Sequence, residues 1–255
     1  MSTLLDPIVE KLVDELNTPY TSCYCEENIY LACQKIVNSG ALHLQDVYAV
    51  FLSNEAKTVL IWGQRATLNK LDIGCPVVWD YHVIMVLVTS AREHEPGLAV
   101  ADRTYVVDFD SILGKLTTWK DYTSFTFRPH LFNNGTFEPS LQSMFRVIPA
   151  SQYLEEFASD RSHMQMKMDD RGNMQYIMPP PSYNTIVGPG ASARGVTNNL
   201  MDEFVHMPGE GAPGSVLLRM DDFLSLRWLH AREDGNLGND CDGALSAPPN
   251  PASAD

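Results

Sequence analysis

The stretch VVWDYHVIMVLV, residues 77–88, is dense in β-branched and aromatic residues and reads as a sheet strand. It is far too short to cross a bilayer, which takes about 20 apolar residues in helical form. One residue breaks its apolar character. His82 stands where an imidazole must find hydrogen-bond partners or bear a heavy desolvation cost. A period of two puts Asp80 and Ile84 on the face of His82. Working outward, Tyr48–Ser53, Val59–Trp62 and Thr104–Phe109 have the same composition, with Asn, Gly or Pro between them. Such short links predict an antiparallel meander. Phe145–Ile148 and Val216–Met220 are further strand candidates, Gln152–Ala158 a short helix, and Asp221 a cap for a helix running to about Leu229.

Two helices precede these strands. LLDPIVEKLVDEL (residues 4–16) is amphipathic. In CYCEENIYLACQKIVNSG (residues 23–40), Ile29, Ala32, Cys33, Ile36 and Val37 repeat at helical spacing, and Asn38-Ser39-Gly40 ends the run. The expected fold class is α/β of the α+β kind, an antiparallel sheet with packed helices, forming one domain over residues 1–230. Residues 165–213, rich in Met, Pro, Gly and Asn, read as a loosely ordered insertion. Residues 231–255 carry almost no large apolar groups and read as a disordered acidic tail.

The chain has 255 residues, 44% of them hydrophobic, enough for a substantial core. A formal net charge of −14 repels phosphate backbones, so nucleic acid is not an expected partner, and neither is a membrane. The five cysteines, Cys23, Cys25, Cys33, Cys75 and Cys241, make no dense disulfide framework. The acidic N-terminal stretch lacks the features of a secretory leader, so a reducing compartment, cytoplasm or nucleus, is expected. Neither a phosphate-binding GxxxxGK[ST] loop nor a dinucleotide GxGxxG turn occurs. Cys23-Tyr24-Cys25 is not a C-x-x-C pair and the histidines are scattered, so no metal is expected.

Three positions stand out chemically. Cys25 continues the buried stripe of the second helix by one turn, at its start, where unpaired N–H groups and the helix dipole favour a thiolate. His82 lies on a strand and suits a general base. Asp108, after a run of strand residues, suits the carboxylate that orients such a base. Each has an ordinary structural reading as well: a packed cysteine, a satisfied core histidine, a turn aspartate. Cys23 and Cys33 compete with Cys25, and Asp110 with Asp108. The order cysteine on a helix, histidine on a strand, aspartate on the next strand matches thiol enzymes of the papain and transglutaminase type.

The blocks TSCYCEENIY (21–30), VVWDYHV (77–83), VDFD (107–110) and FASDRSHM (157–164) together resemble the protein N-terminal glutamine amidohydrolase family. YAVFLSNE (48–55), FRVI (145–148) and PPPSY (179–183) support the resemblance, which covers about residues 20–184 with a weaker echo at 214–228. It departs in extra residues between Ser90 and Thr104, in the longer Met-rich stretch 165–213 and in the tail after Leu229. The resemblance implies a papain-like or transglutaminase-like thiol enzyme core, a monomer and no cofactor. It also implies substrates that are proteins and peptides with N-terminal glutamine, and a product that enters the N-degron pathway by arginylation. It places the nucleophile at Cys25, the histidine at His82 and the aspartate at Asp108. Contacts to the substrate α-ammonium and side chain are expected among Tyr24, Glu26, Glu27, Trp79, Asp80, Ser159 and Asp160. Against this stand plainer roles: Glu26 and Glu27 complementing the helix dipole, Asp160–Arg161 as an ion pair, Ser159 or Ser162 as a cap. Two rival functions remain, a peptidase or transglutaminase on the same scaffold and a non-catalytic interaction protein using the Pro- and Met-rich segment.

Overall fold

A computed structural model describes residues 7–43, 46–66, 74–89, 97–168, 174–207 and 209–230. In chain order the elements are α1 (Pro7–Glu15), α2 (Cys25–Ser39), β1 (Val47–Ser53), β2 (Val59–Ile61), β3 (Val77–Trp79), β4 (His82–Val88), β5 (Thr104–Val107) and β6 (Leu116–Thr118). Then come α3 (Trp119–Thr126), α4 (His130–Asn133), β7 (Met144–Pro149), α5 (Ala150–Glu156), β8 (Ala158–Ser159), β9 (Gln165–Met168), β10 (Met174–Tyr176) and β11 (Ile186–Val187). The last are α6 (Pro189–Ala193), a π-helical turn (Leu200–Val205), β12 (Val216–Leu218), α7 (Met220–Leu224) and α8 (Arg227–His230).

Six strands form the main sheet in the order β12-β7-β1-β4-β5-β6, every neighbouring pair antiparallel. Its two central strands are buried on both faces, which is why they read as continuous apolar runs. Ala49, Phe51, Val83, Met85 and Leu87 face α2, packing on Ile29, Ala32, Cys33 and Ile36. Val50, Leu52, Ile84 and Val86 face the other way, onto Trp119 and Tyr122 of α3 and Phe223 of α7. The expected α+β class with an antiparallel sheet and packed helices is what the chain adopts. Gly40 closes α2 in the left-handed conformation (φ 64°) that lacks a steric penalty only for glycine.

Several expectations are corrected. Residues 77–88 are two strands, not one: β3 pairs with β2, while β4 joins the main sheet. The break falls at Asp80-Tyr81. The Asp80 carboxylate accepts the Tyr81 N–H at 2.9 Å, and the Asp80 carbonyl accepts the Ser53 hydroxyl at 2.7 Å, so the local backbone is diverted from a ladder. Period two therefore does not carry from Asp80 to His82. Asp221 does not cap the last helix. Arg219 precedes α7, and the positive φ of Leu226 (56°) splits the expected helix into α7 and α8.

The largest difference concerns residues 165–213. Their described part supplies β9, β10, β11, α6 and the π turn, and Leu200, Phe204, Val205, Met207 and Ala212 are buried in the α2-side core. Phe204 stacks among Phe51, Tyr153 and Phe157 at ring distances of 5.2, 5.7 and 5.4 Å. Low apolar density hid this segment, because a few widely spaced large residues do the packing. The tail 231–255, residues 90–96 of the extra stretch after Ser90 and the first residues of the N-terminal helix lie outside the described residues. No helix among the described residues is long and apolar enough to cross a membrane.

If the π turn is a core element, Phe204→Ala should lower unfolding stability by about 3–5 kcal/mol, the usual cost of removing a buried aromatic ring. Urea denaturation followed by tryptophan fluorescence measures it. A loss under about 0.5 kcal/mol, as for an exposed loop residue, would contradict this packing.

Candidate active site

His82 opens β4 opposite Leu52 and is fully buried. Its Nε2 lies 2.9 Å from Asp108 Oδ1. Asp108 directly follows β5, and its carboxylate is surrounded by donors. Oδ1 also accepts the Asp110 N–H at 2.9 Å, and Oδ2 accepts Gln64 Nε2 at 3.0 Å and the Tyr122 hydroxyl at 2.9 Å. Burial alone would push the Asp108 pKa up. The His82 charge and the hydrogen bonds from His82, Gln64 and the Asp110 N–H outweigh it and hold the carboxyl below its ordinary value. For His82, burial opposes charge, but the Asp108 carboxylate wins and the imidazole pKa rises. Trp79 stacks on the imidazole with centroids 5.3 Å apart and planes 26° off parallel. The other ring nitrogen, Nδ1, is buried and makes no hydrogen bond.

Cys25 is the first residue of α2. Asn28 builds the turn before it. Its side chain accepts the Thr21 N–H at 2.9 Å and donates to the Thr21 carbonyl at 2.8 Å. This clamp holds Cys23 at φ 65°, a left-handed conformation costing on the order of 1–3 kcal/mol for a residue with a side chain. The backbone N–H of Val83, the residue after His82, favours the charged form of the Cys25 thiol. Asp110 and Glu26 act electrostatically on both the sulfur and the imidazole. The sequence suggests a thiol activated by the helix N-terminus; burial acts against this and pushes the thiol pKa well up, as do Glu26 when ionised, Asp110 and Asp80, with the Val83 N–H opposing.

The remaining candidates separate by burial. Glu27, fully buried, takes two charge-assisted bonds from Arg161, at 2.8 Å each. Arg161 thus pairs with Glu27 and not with Asp160, which is exposed and caps the Ser162 N–H at 2.9 Å. Ser159, also buried, accepts the Arg161 N–H at 3.3 Å. Tyr24 is buried and donates to the Met178 carbonyl at 3.2 Å. Trp79 is half-buried and Asp80 exposed, yet the charge of Asp80 reaches the Cys25 thiol. Glu26, fully buried, accepts the Tyr81 hydroxyl at 3.0 Å on Oε2, and its burial lifts its pKa to about 8.

Sequence reasoning passed over Gln64, Tyr122, Tyr81 and His163. Tyr81 and His163 lie inside blocks quoted for the resemblance, so those blocks held the available signal. Gln64 and Tyr122 had none, because their role depends on which strands meet. Among the described residues, His82, Asp108 and Asp110 offer ligand atoms within 4.8 Å of one another, a set that could hold a metal ion. The hydrogen bonds of Asp108 to His82 and of Asp110 to Tyr20 already account for these groups.

Comparison with known proteins agrees with this arrangement of blocks. The family model described as N-terminal glutamine amidase matches residues 20–226. The protein N-terminal glutamine amidohydrolase of Drosophila melanogaster is 36% identical over 197 residues, covering 77% of this chain and 82% of its own. That of Danio rerio is 36% identical over 197 residues, covering 77% of this chain and 83% of its own.

The Asp108 cluster predicts a pH-dependent stability. A carboxyl whose folded pKa is depressed adds stability above its unfolded pKa of about 3.9 and loses it as pH falls through the folded value. Gln64→Leu removes one donor, worth about 1.5–3 kcal/mol to a charged acceptor. The gap in urea midpoint between wild type and variant should be full at pH 7 and shrink only below the ordinary carboxyl range of about pH 4, as the depressed folded carboxyl takes up its proton. A gap that is constant with pH would show that Gln64 acts by packing alone.

Proposed function

The chain belongs to the N-terminal glutamine amidase family, whose members are hydrolases of an amide bond, and from that premise we propose how its own residues carry out deamidation of N-terminal glutamine. The observation that carries the reading is the buried His82–Asp108 pair, whose imidazole Nδ1 is left without a hydrogen bond, next in the chain to Val83, whose N–H favours the Cys25 thiolate.

His82 Nδ1 takes the thiol proton as the sulfur attacks the side-chain carboxamide carbon of the substrate. A C–S bond forms, and the carbonyl electron pair moves to oxygen. The first N–H groups of α2, which have no intrahelical acceptor, receive that oxygen, and each donor of this kind is typically worth about 10²–10³ in rate. Collapse breaks the C–N bond, and the imidazolium delivers its proton to the departing ammonia. Water, losing a proton to His82, then cleaves the thioester to give N-terminal glutamate and the free thiol. Asp108 keeps its charge throughout and holds the imidazole by Nε2. Because burial pushes the thiol pKa up, the base generates the thiolate at the moment of attack.

Selectivity for a free N-terminus needs an anion for the α-ammonium. Asp80 fits best among the candidates: it is exposed, its charge reaches the Cys25 sulfur, and among the described residues no basic partner consumes it as Arg161 consumes Glu27. The product, an N-terminal glutamate, is the kind of residue that arginylation in the N-degron pathway acts on. We assign the protein to the cytoplasm or nucleus as a monomer needing no cofactor.

Incubation with Gln-Xaa, Asn-Xaa and acetyl-Gln-Xaa peptides tests the reading by ammonia release. Gln-Xaa alone should react. Asparagine is one methylene short, and a displacement of about 1 Å can cost roughly 10²-fold. Cys25→Ala should abolish release, and Asp108→Asn should lower kcat on the order of 10⁴-fold, as loss of an orienting carboxylate does. Peptide-bond cleavage would instead indicate a peptidase.

A further inference from the structure

A second carboxyl stands beside the sulfur. Glu26 is fully buried, and its Oε2 lies 3.7 Å from Cys25 Sγ. That oxygen is an acceptor twice over, from the Tyr81 hydroxyl at 3.0 Å and from the thiol. The other oxygen, Oε1, is buried without a hydrogen bond. Among the described residues Glu26 has no guanidinium or ammonium partner; a basic group at hand is His163, with Nε2 at 3.5 Å from Oε1 and 3.3 Å from the Tyr81 oxygen. Burial depresses the His163 pKa, so this imidazole is the neutral kind. With the Tyr81 hydroxyl donating to Glu26 Oε2, one proton arrangement fits these distances. His163 Nε2–H donates to the Tyr81 oxygen, Tyr81 O–H donates to Glu26 Oε2, and the Glu26 proton sits on Oε1 as a donor with no acceptor.

An unpaired buried donor beside a nucleophile is costly unless a ligand completes it. The carbon under attack must come within about 3–3.5 Å of the sulfur. Its oxygen then comes close to the Glu26 carboxyl, whose Oε2 is the oxygen 3.7 Å from that sulfur, with Oε1 on the same carbon. We propose that Glu26, in its neutral form, grips the reacting carboxamide: Oε1–H donates to the carboxamide oxygen and holds it as negative charge develops there. The inference rests on Cys25 as nucleophile. It adds to the backbone donors a side-chain donor that titrates.

The charge state matters twice. Ionised Glu26 would lose its donor and place a negative charge against the forming thiolate. The groups facing it are Tyr24, Cys25 and Glu27 at the start of α2, Tyr81 and His82 around the start of β4, Tyr153 of α5, whose hydroxyl donates to the Glu26 carbonyl, His163 and Tyr183. Glu27 is neutralised by Arg161, and no cation among the described residues pairs with Glu26 in the same way. The pKa of about 8 gives the sign: the Glu26 contribution is complete at lower pH and is lost as pH rises through that value.

The test is the pH profile of kcat and KM for ammonia release from a Gln-Xaa dipeptide in wild type, Glu26→Gln and Glu26→Ala. Glu26→Ala should lose roughly 10²–10³-fold, mostly in kcat, as for an oxyanion donor. Glu26→Gln keeps a neutral N–H donor, so it should retain more activity than Glu26→Ala and move the alkaline decline to higher pH. A protonated-carboxyl infrared band that disappears in Glu26→Gln and titrates near pH 8 in wild type reports the same group without turnover. An unmoved alkaline limb in a folded Glu26→Gln protein would overturn the proposal, because that limb would then belong to His82. So would a Glu26→Ala protein within a few-fold of wild type. Failure of the wild type to release ammonia from Gln-Xaa would instead overturn the amidase reading.

Discussion

Asp108 is a carboxylate with almost no access to water, and an isolated charge in that position would be prohibitive. It is tolerated because four donors from four places converge on it: His82 at the start of β4, Gln64 beyond β2, Tyr122 on α3 and the N–H of Asp110. This constraint links the two faces of the sheet. Tyr122 belongs to the core beneath α3, whereas the Cys25 sulfur belongs to the core beneath α2, and His82 with the Val83 N–H stands between them. The turn after β5 is fixed by the same need. Asp110 donates to Asp108, accepts from Tyr20 and gives its carbonyl to the Arg65 N–H at 2.7 Å. Loosening any of these leaves a buried charge short of a partner.

The sulfur obeys the opposite logic. A helix N-terminus contributes on the order of 0.3–1 kcal/mol to a nearby anion, and somewhat more when partly buried. Burial with acidic neighbours acts against that and pushes the thiol pKa up. The Glu26 carboxyl is pushed the same way and for the same reason. The pocket around Cys25 thus stores its protons, while the His82–Asp108 pair across from it favours charge. A proton that leaves the sulfur has an imidazole ready to hold it. This division, neutral on one side and ionic on the other, follows from where the compensating donors are.

What the sequence made legible follows from the range of each interaction. The α2 stripe, the Gly40 stop and the apolar run of β1 are local periodicities and appear within a residue or two, as does the end of β4 at Val88. His82 and Asp108 were legible because a polar group in an apolar strand needs a partner, and each satisfies the other. The break at Asp80-Tyr81 was not, since it depends on Ser53 reaching across from β1. β6 and α3 were missed although Thr118 and Asp121 bond each other reciprocally at the helix start, a spacing readable in advance. Arg161 was assigned the wrong acid, because sequence adjacency favours Asp160 while the fold brings Glu27, 134 residues away, to its guanidinium.

That long-range ion pair also explains why a segment poor in apolar residues is held in place. Arg161, bound to Glu27 on α2, donates onward to the carbonyls of Pro181 at 3.2 Å and Asn184 at 3.4 Å and lies over the Tyr183 ring at 5.3 Å. Tyr24, just before Cys25, bonds the Met178 carbonyl. Asn199 then ties the chain to Ala158 and Glu156 before Leu200 and Phe204 enter the core. The segment after Met178 is therefore fastened to the first turn of α2, the turn that carries the sulfur. Proline-rich backbone suits this role, since its carbonyls accept while its missing N–H groups need no partner. The guanidinium can serve so many acceptors only because its charge is neutralised by Glu27. The second acidic residue of α2 is in this sense structural, which leaves the first, Glu26, as the carboxyl with an oxygen to spare beside the sulfur.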